Sequence, residues 1–252
     1  MDNLILQAAQ DGELLIYGHS GAMGYRPTNT LPAFELALEQ GAHAVELDAH
    51  RSKDGHVVVV HDFTVDRTSN GTGRVNEMTL AELKALDAGS WFDEKYAGVQ
   101  VPTLDEVFEA VGHKMLVNVE IKSDSQETDG VEQAVADCIA RHNMQQRVIM
   151  SCFNPLALKR FRAIMPQVPL AFLFAYDVPY DTKALLGDFQ YEAYHPNYMM
   201  IDADLMQQEA KQGRIVNAWT VNEVEDTLKL RDLGVHGIMT DYPDVMLNAL
   251  KA

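Results

Sequence analysis

Apolar residues recur along this chain in two alternating patterns. Short runs rich in Val, Ile, Leu and Phe read as buried strands, and longer amphipathic stretches read as helices. Strands are expected at 14–17, 44–48, 115–121, 147–152, 170–174, 192–195, 215–219 and 237–240, the sixth being the weakest pattern. Helices are expected at 30–40, 104–111, 130–142, 155–164, 203–212 and 224–233, with a poorer helical pattern at 182–187. The first helix has Thr30 placed to cap it, Pro32 in its first turn and Gly41 just past its end. Strands alternating with helices over 252 residues fit an α/β fold, a (β/α)8 barrel forming one domain over 1–252. A doubly wound open sheet shares that alternation, but no glycine-rich dinucleotide turn follows the first strand. The alternation breaks between 57 and 100, where the run Val57-Val58-Val59-Val60 adds a strand. Gly71-Thr72-Gly73, a short helix near 80–86 and Trp91-Phe92 follow it. This region is expected to be a small insertion after strand two, about 62–101, packed over one mouth of the barrel.

A barrel presents its reactive groups at the carboxyl ends of its strands. His19 follows the first strand, Glu46 and Asp48 end the second, and His61 ends the insertion strand. Glu120 and Lys122 end the third, Phe153 follows the fourth, Trp219 ends the seventh and Asp241 follows the eighth. Glu46 and Asp48 are two apart on a strand and share a face, where their carboxylates repel unless a cation or a proton lies between them. Together with Glu120 they make an oxygen-only set suited to a hard divalent cation, Ca2+ or Mg2+, whereas a softer metal would draw on sulfur or clustered imidazole. The plainer alternative pairs these acids with Lys122 and Arg51 or leaves them solvated. His19 and His61 are the candidate general acid and base, since imidazole titrates near neutrality. Of the other histidines, His43, His56 and His236 read as turn or surface residues, and His195 stays open between core and site. Lys122 shares a face with Glu120 and can meet a phosphate oxygen as a point charge, or pair with Glu120 or Asp124. Phe153 and Trp219 can wall a small organic group or simply fill the core.

Composition narrows the partners. Hydrophobic residues make up 47% and charged residues 23%, as in soluble globular proteins. The 37 acidic against 20 basic side chains, a formal net charge of −17, argue against nucleic acid and against stable association with anionic membranes. A small anionic substrate remains compatible, because a bound cation and one lysine reverse the local field. Cys138 and Cys152 read as two buried, reduced thiols rather than a disulfide framework. No stretch approaches the ~18 apolar residues of a membrane span, and no secretory signal opens the chain, so a cytoplasmic protein is expected.

Taken together, the motifs resemble the glycerophosphodiester phosphodiesterases. The matching pieces run in order from His19-Ser20-Gly21 through Asn29-Thr30, Glu46-Leu47-Asp48, Lys53-Asp54-Gly55, His61-Asp62, Asp66-Arg67-Thr68, Gly71-Thr72-Gly73, Pro102-Thr103-Leu104, Glu120-Ile121-Lys122 and Trp219-Thr220-Val221-Asn222. The resemblance implies a TIM barrel with a small insertion after strand two, and metal-dependent hydrolysis of glycerophosphodiesters to glycerol 3-phosphate and an alcohol. It implies catalytic roles for His19 and His61, and Ca2+ or Mg2+ bound by Glu46, Asp48 and Glu120. It further implies phosphate binding at Lys122 and a glycerol pocket lined by Phe153 and Trp219. Two positions depart from the family pattern: Ser20 stands where an arginine is usual, and Thr28 where a glutamate is usual. Ser20 is thereby expected beside the substrate phosphate. Loss of a bidentate arginine contact costs about 1.5–3 kcal/mol. Losing both residues together leaves neither charge buried without a partner, and Arg26 is near enough in the chain to replace the lost charge. The departures leave room for a larger diester such as a lysophospholipid as substrate, or for a weakly active barrel that binds a phosphorylated ligand. Both histidines and all three acids are present, which favours an enzyme.

Overall fold

The computed structural model describes residues 3–175 and 182–251. Eight parallel strands close on themselves: β1 (Leu15–Gly18), β2 (Ala44–Arg51), β4 (Leu116–Ile121), β5 (Val148–Cys152), β6 (Leu170–Phe174), β7 (Ala193–Pro196), β8 (Ile215–Ala218) and β9 (Gly237–Thr240). β1 pairs with both β9 and β2, which shuts the barrel. The ninth strand, β3 (Val57–Val59), lies outside the ring and runs antiparallel to β2. The fold is thus a TIM barrel with an insertion, and the weak sixth strand of the sequence reading is the genuine barrel strand β7.

β2 is the strand on which the site depends. It is eight residues long where β1 has four. One edge pairs with β4 from Ala44 to Ala49. Its other edge pairs with β1 only through Ala44 and Val45, and beyond the end of β1 the same edge takes up β3 through Ala49, His50 and Arg51. β2 therefore rises above the rim of the barrel and carries the insertion. The period of two then sorts the side chains. Val45 and Leu47 point outward into the main core with Phe34, Ala37 and Val117, while Glu46 and Asp48 point into the barrel mouth. β3 sorts in the same way: Val57 and Val59 join the main core, and Val58 with Val60 joins a small core of Val65, Val75, Leu83 and Val101 within the insertion. The insertion helix α3 (Leu80–Lys84) starts at a capping box made by Thr79 and Glu82.

Helices α2 (Leu31–Glu39), α4 (Leu104–Val107), α5 (Val131–Arg141), α6 (Pro155–Ile164), α7 (Thr182–Leu186), α8 (Ala203–Lys211) and α9 (Val224–Leu233) clothe the barrel. The expected helix over 104–111 is shorter than its pattern, because α4 passes into a wider π turn at Phe108–Gly112. Two helices lie outside the sequence expectations: α1 (Leu4–Gln10) and α10 (Pro243–Lys251). α1 closes the bottom of the barrel. Its cap residue Asn3 donates to the Val148 carbonyl at 2.8 Å, and Ile5 is fully buried with Leu15, Tyr17, Ile149 and Met239. Cys138 and Cys152 are buried free thiols. Among the described residues no helix is long and apolar enough to cross a membrane.

Leu47, between Glu46 and Asp48 in the chain but on the opposite face of β2, is fully buried in the main core. Leu47→Ala is expected to cost about 2–5 kcal/mol through lost burial and a residual cavity. Urea unfolding of the two proteins measures it.

Candidate active site

The carboxyl ends of the strands surround a cleft of about 410 Å³. His19, Glu46, His61, Glu120, Lys122, Phe153 and Trp219 all line it, so positions spread over 200 residues of chain meet at one mouth. Barrel register explains much of this. Asp48 on β2 lies opposite Glu120 on β4, and Lys122 follows two residues later on the same face. One carboxylate oxygen from each of Glu46, Asp48 and Glu120 can be chosen so that all three lie within 4.8 Å of one another, and all three residues are buried.

Burial and mutual repulsion set the protonation of this group. Glu46 is pushed well above the ordinary glutamate value, first by burial and then by the charges of Asp48 and Glu120. Glu120 is likewise raised by burial, against the pull of Lys122. Burial works to raise Asp48 too, but the Lys122 ammonium, His61 and a hydrogen bond from Asn29 hold it well below its usual range. Lys122 Nζ lies 3.0 Å from Asp48 Oδ1 and 2.8 Å from Glu120 Oε1. Positive charge is thus already drawn to the centre of the cluster. An oxygen-only set of buried, mutually repelling carboxylates fits a hard divalent cation.

The β1–α2 loop braces the carboxylates from below. Ser20 and Asn29 have positive φ, 48° and 56°, as does Gly21 at 84°. A Cβ at Gly21 would sit 2.6–2.7 Å from the Ala33 backbone, so only glycine fits that turn. The turn aims the Ser20 amide at Glu46 Oε2 (3.1 Å) and the Ser20 hydroxyl at Asp48 Oδ2 (3.2 Å). Asn29 Nδ2 donates to the same Asp48 oxygen at 2.7 Å. Ser20, expected beside the substrate, is fully buried and does not line the cleft; it is held beneath the acids because the left-handed turn points it inward. Arg26 does not fill the gap left by the usual arginine: its guanidinium lies over the Tyr96 ring, 5.5 Å from the centroid.

Each candidate histidine is anchored by a carboxylate. His19 Nδ1 lies 2.7 Å from Asp241 Oδ1, and Asn222 Nδ2 donates to the other Asp241 oxygen at 2.7 Å. His61 Nδ1 lies 2.6 Å from Asp62 Oδ1, and Arg67 in turn grips Asp62 at 2.6 and 3.0 Å. With Nδ1 engaged in both rings, Nε2 is the nitrogen left for the cleft. Burial lowers the pKa of His19, but its bond to Asp241 and the charges of Glu46, Asp241 and Asp48 outweigh that and raise it to about 9. Phe153 and Trp219 stack edge to face with centroids 5.6 Å apart, and Trp219 Nε1 donates to the His195 carbonyl at 2.7 Å. They form one apolar wall of the cleft. His195 itself is fully buried in the barrel, which settles it as a core residue.

Several groups that anchor the site carry only weak signals in the sequence. Asp241, Asp62 and Asn29 were visible only as motif letters or strand-end positions, and Asn222 as a weak polar neighbour of Trp219. A polar residue directly after a strand-end histidine, or at the close of the last strand, is the signal for such anchors. A second trio, Asp105, Cys138 and His142, also has mutually close ligand atoms. There, however, Asp105 is already bonded by Arg141 at 2.9 Å through both oxygens and by His142 Nε2 at 2.8 Å.

The sequence model of the Glycerophosphoryl diester phosphodiesterase family matches residues 19–245. The chain belongs to this family. It is 41% identical over 240 residues to the glycerophosphodiester phosphodiesterase of Caldanaerobacter subterraneus subsp. tengcongensis, covering 94% of this chain and 98% of that one. A phosphodiesterase of Oleispira antarctica, solved in complex with the product sn-glycerol-3-phosphate, superposes with a TM-score of 0.88 at 30% identity, covering 97% of this chain and 99% of that one. The glycerophosphodiester phosphodiesterase of Agrobacterium tumefaciens superposes with a TM-score of 0.80 at 28% identity, over 93% and 99%. As a family member the chain is an enzyme of glycerophosphodiester hydrolysis.

The protonation pattern predicts how stability varies with pH once divalent cations are removed. Burial lowers His50 to about 4 and His195 to about 3, so these two groups contribute stability that rises with pH up to about 6.5, opposed from about 4.5 upward by the raised Glu46 and Glu120. Above 6.5 only the groups with raised values still respond, and stability falls. His19 keeps its proton in the folded chain to about 9 but sheds it near 6.5 when unfolded, and the raised Glu46 acts in the same direction. The stripped protein is therefore expected to melt lower at pH 8.5 than at 6.5. The rise in Tm on adding Ca2+ or Mg2+ should be larger at pH 8.5. Scanning calorimetry at the two pH values, with and without cation, checks both statements.

Proposed function

We propose that this enzyme hydrolyses small glycerophosphodiesters to glycerol 3-phosphate and an alcohol, with His19 and His61 as its proton-transfer groups. The observation that carries this reading is the convergence of three buried carboxylates, two carboxylate-anchored imidazoles and one buried lysine on a single cleft. Glu46, Asp48 and Glu120 would hold a Ca2+ or Mg2+ ion, which when bound supplies positive charge that polarises the diester and offsets charge developing in the transition state. Lys122, beside those acids, would meet a phosphate oxygen as a point charge. The Phe153–Trp219 wall takes the carbon face of the glycerol. The Oleispira enzyme's complex with glycerol 3-phosphate supports a product of this size in a barrel of this shape.

The chain's own residues then account for the proton movements. One imidazole accepts a proton at Nε2 from the nucleophile, which is water or a neighbouring glycerol hydroxyl. The other donates from Nε2 to the departing alcohol oxygen as the P–O bond breaks. Asp241 and Asp62 hold the two rings in the tautomer that leaves Nε2 to the cleft. Asp241 also favours the imidazolium form of His19. Asn222 and Arg67 keep those carboxylates in place.

His19→Ala and His61→Ala are each expected to lower kcat by about 10²–10⁴-fold, the usual worth of a positioned acid or base. Chelation should abolish turnover, and added Ca2+ or Mg2+ should restore it. Release of glycerol 3-phosphate from glycerophosphocholine, glycerophosphoethanolamine and glycerophosphoglycerol measures all three effects. Activity within a few-fold of the parent in either variant contradicts the assignment of that histidine.

A further inference from the structure

Two histidines far from the cleft occupy matching positions at the amino-terminal rim of the barrel. His43 stands one residue before β2 and His236 one residue before β9. Each follows a helix that ends in a left-handed glycine turn, with Gly41 (φ 83°) after α2 and Gly234 (φ 86°) after α9. In both turns the next residue folds back on its helix: Ala42 donates to the Ala37 carbonyl at 3.0 Å, and Val235 to the Leu230 carbonyl at 3.2 Å. The shared Gly-x-His spacing thus delivers an imidazole to the start of each strand.

Each histidine then makes the same three bonds. The His43 amide donates to the Ile16 carbonyl on β1 at 3.0 Å, its carbonyl accepts from the Leu116 amide on β4 at 3.2 Å, and its Nδ1 accepts from the Ile16 amide at 2.9 Å. The His236 amide donates to the Val216 carbonyl on β8 at 2.8 Å, its carbonyl accepts from the Leu15 amide on β1 at 3.0 Å, and its Nδ1 accepts from the Val216 amide at 3.0 Å. Strand pairing proper starts just beyond, at Tyr17 with Ala44 and at Asn217 with Gly237. Each imidazole therefore adds one rung below the first strand pair, with a ring nitrogen in the place of a backbone carbonyl. Together the two residues tie β8, β9, β1, β2 and β4, and between them lies the β1–β9 pairing that shuts the barrel.

A backbone amide can only donate, so Nδ1 is bare in both rings and the proton sits on Nε2. A second proton has only Nδ1 to go to, and it would turn that acceptor into a donor facing a donor. His43 is exposed and His236 half-buried, so solvent protons reach both rings. Partial burial holds both below the ordinary histidine value. Around His43, Glu13 before β1 favours the charged ring and Lys251 on α10 opposes it. Around His236, burial and the Val216 amide are the influences that act among the described residues.

We propose that His43 and His236 are acid-released latches on the closing seam of the barrel, each holding its strands while Nδ1 is bare and letting go as the ring charges. The sign follows from linkage: with folded values below the unfolded 6.5, the latches contribute stability above 6.5 that is lost as pH falls through the folded values.

The test is backbone amide exchange of the full chain at pH 7.5 and 5.0, corrected for the intrinsic pH dependence of exchange. Protection of the Ile16 and Val216 amides is read relative to that of Met150 on β5, which cancels any loss of global stability. In the parent this ratio is expected to fall at least about threefold on acidification, the effect of about half a pH unit of displaced titration. In His43→Asn with His236→Asn, whose amide oxygens can accept the same bonds and do not titrate, it should stay within about twofold. Nitrogen-15 shifts of the parent rings at pH 7.5 should show the Nε2–H form, which keeps the test decisive if the double variant fails to fold. A parent ratio that does not respond to pH, parent and variant responding alike, or rings protonated on Nδ1 at pH 7.5 would each overturn the latches.

Discussion

Three carboxylates share one buried space on adjacent strands of a barrel, and most of the site follows from the need to balance them. Asp48 and Glu120 are register partners across β2 and β4, and Glu46 lies one step back on the same face. Burial limits their solvation by water, so their mutual repulsion is met by positive charge, by protons or by hydrogen-bond donors. The structure supplies all three. Lys122 bridges Asp48 and Glu120, Glu46 is driven toward its protonated form, and the left-handed β1–α2 turn aims Ser20 and Asn29 at the remaining oxygens. Such an arrangement is poorly satisfied alone and well satisfied around a hard divalent cation. The same negative field keeps His19 protonated far above neutrality.

The length of β2 translates this local problem into architecture. A barrel strand as short as β1 would end before it could present Glu46, Asp48 and His50 in one row. By continuing past β1 it offers a free edge, which β3 covers, and β3 brings His61 to the cleft that His19 also lines. The insertion is thus the means by which the second imidazole reaches the site.

Much of this was legible in the residues. Eight apolar runs with helical spacers identify the barrel, and the period of two on Glu46-Leu47-Asp48 places both acids inward without reference to any relative. Strand-end positions likewise single out Glu120 with Lys122 and the two histidines, and the family resemblance attaches roles to them. Other features were not legible, for identifiable reasons. Helix α1 is a seven-residue segment whose apolar positions serve only to plug the barrel bottom, too short for periodicity to reveal it. The π turn after α4 depends on packing rather than on composition. Ser20 looked like a substrate contact because its place in the motif belongs to an arginine, but a short side chain on a left-handed turn folds beneath the acids. Arg26 is held by the Tyr96 ring. Lys122, by contrast, lines the cleft beside the acids.

The account turns on the carboxylate trio being a cation site. The most direct measurement is a crystal grown with calcium, the ion being located by its anomalous scattering. One peak bound by an oxygen from each of Glu46, Asp48 and Glu120, with Lys122 Nζ displaced from the acids, is the predicted result. A trio still bridged by the lysine, with calcium absent from it at saturating concentration, would contradict it.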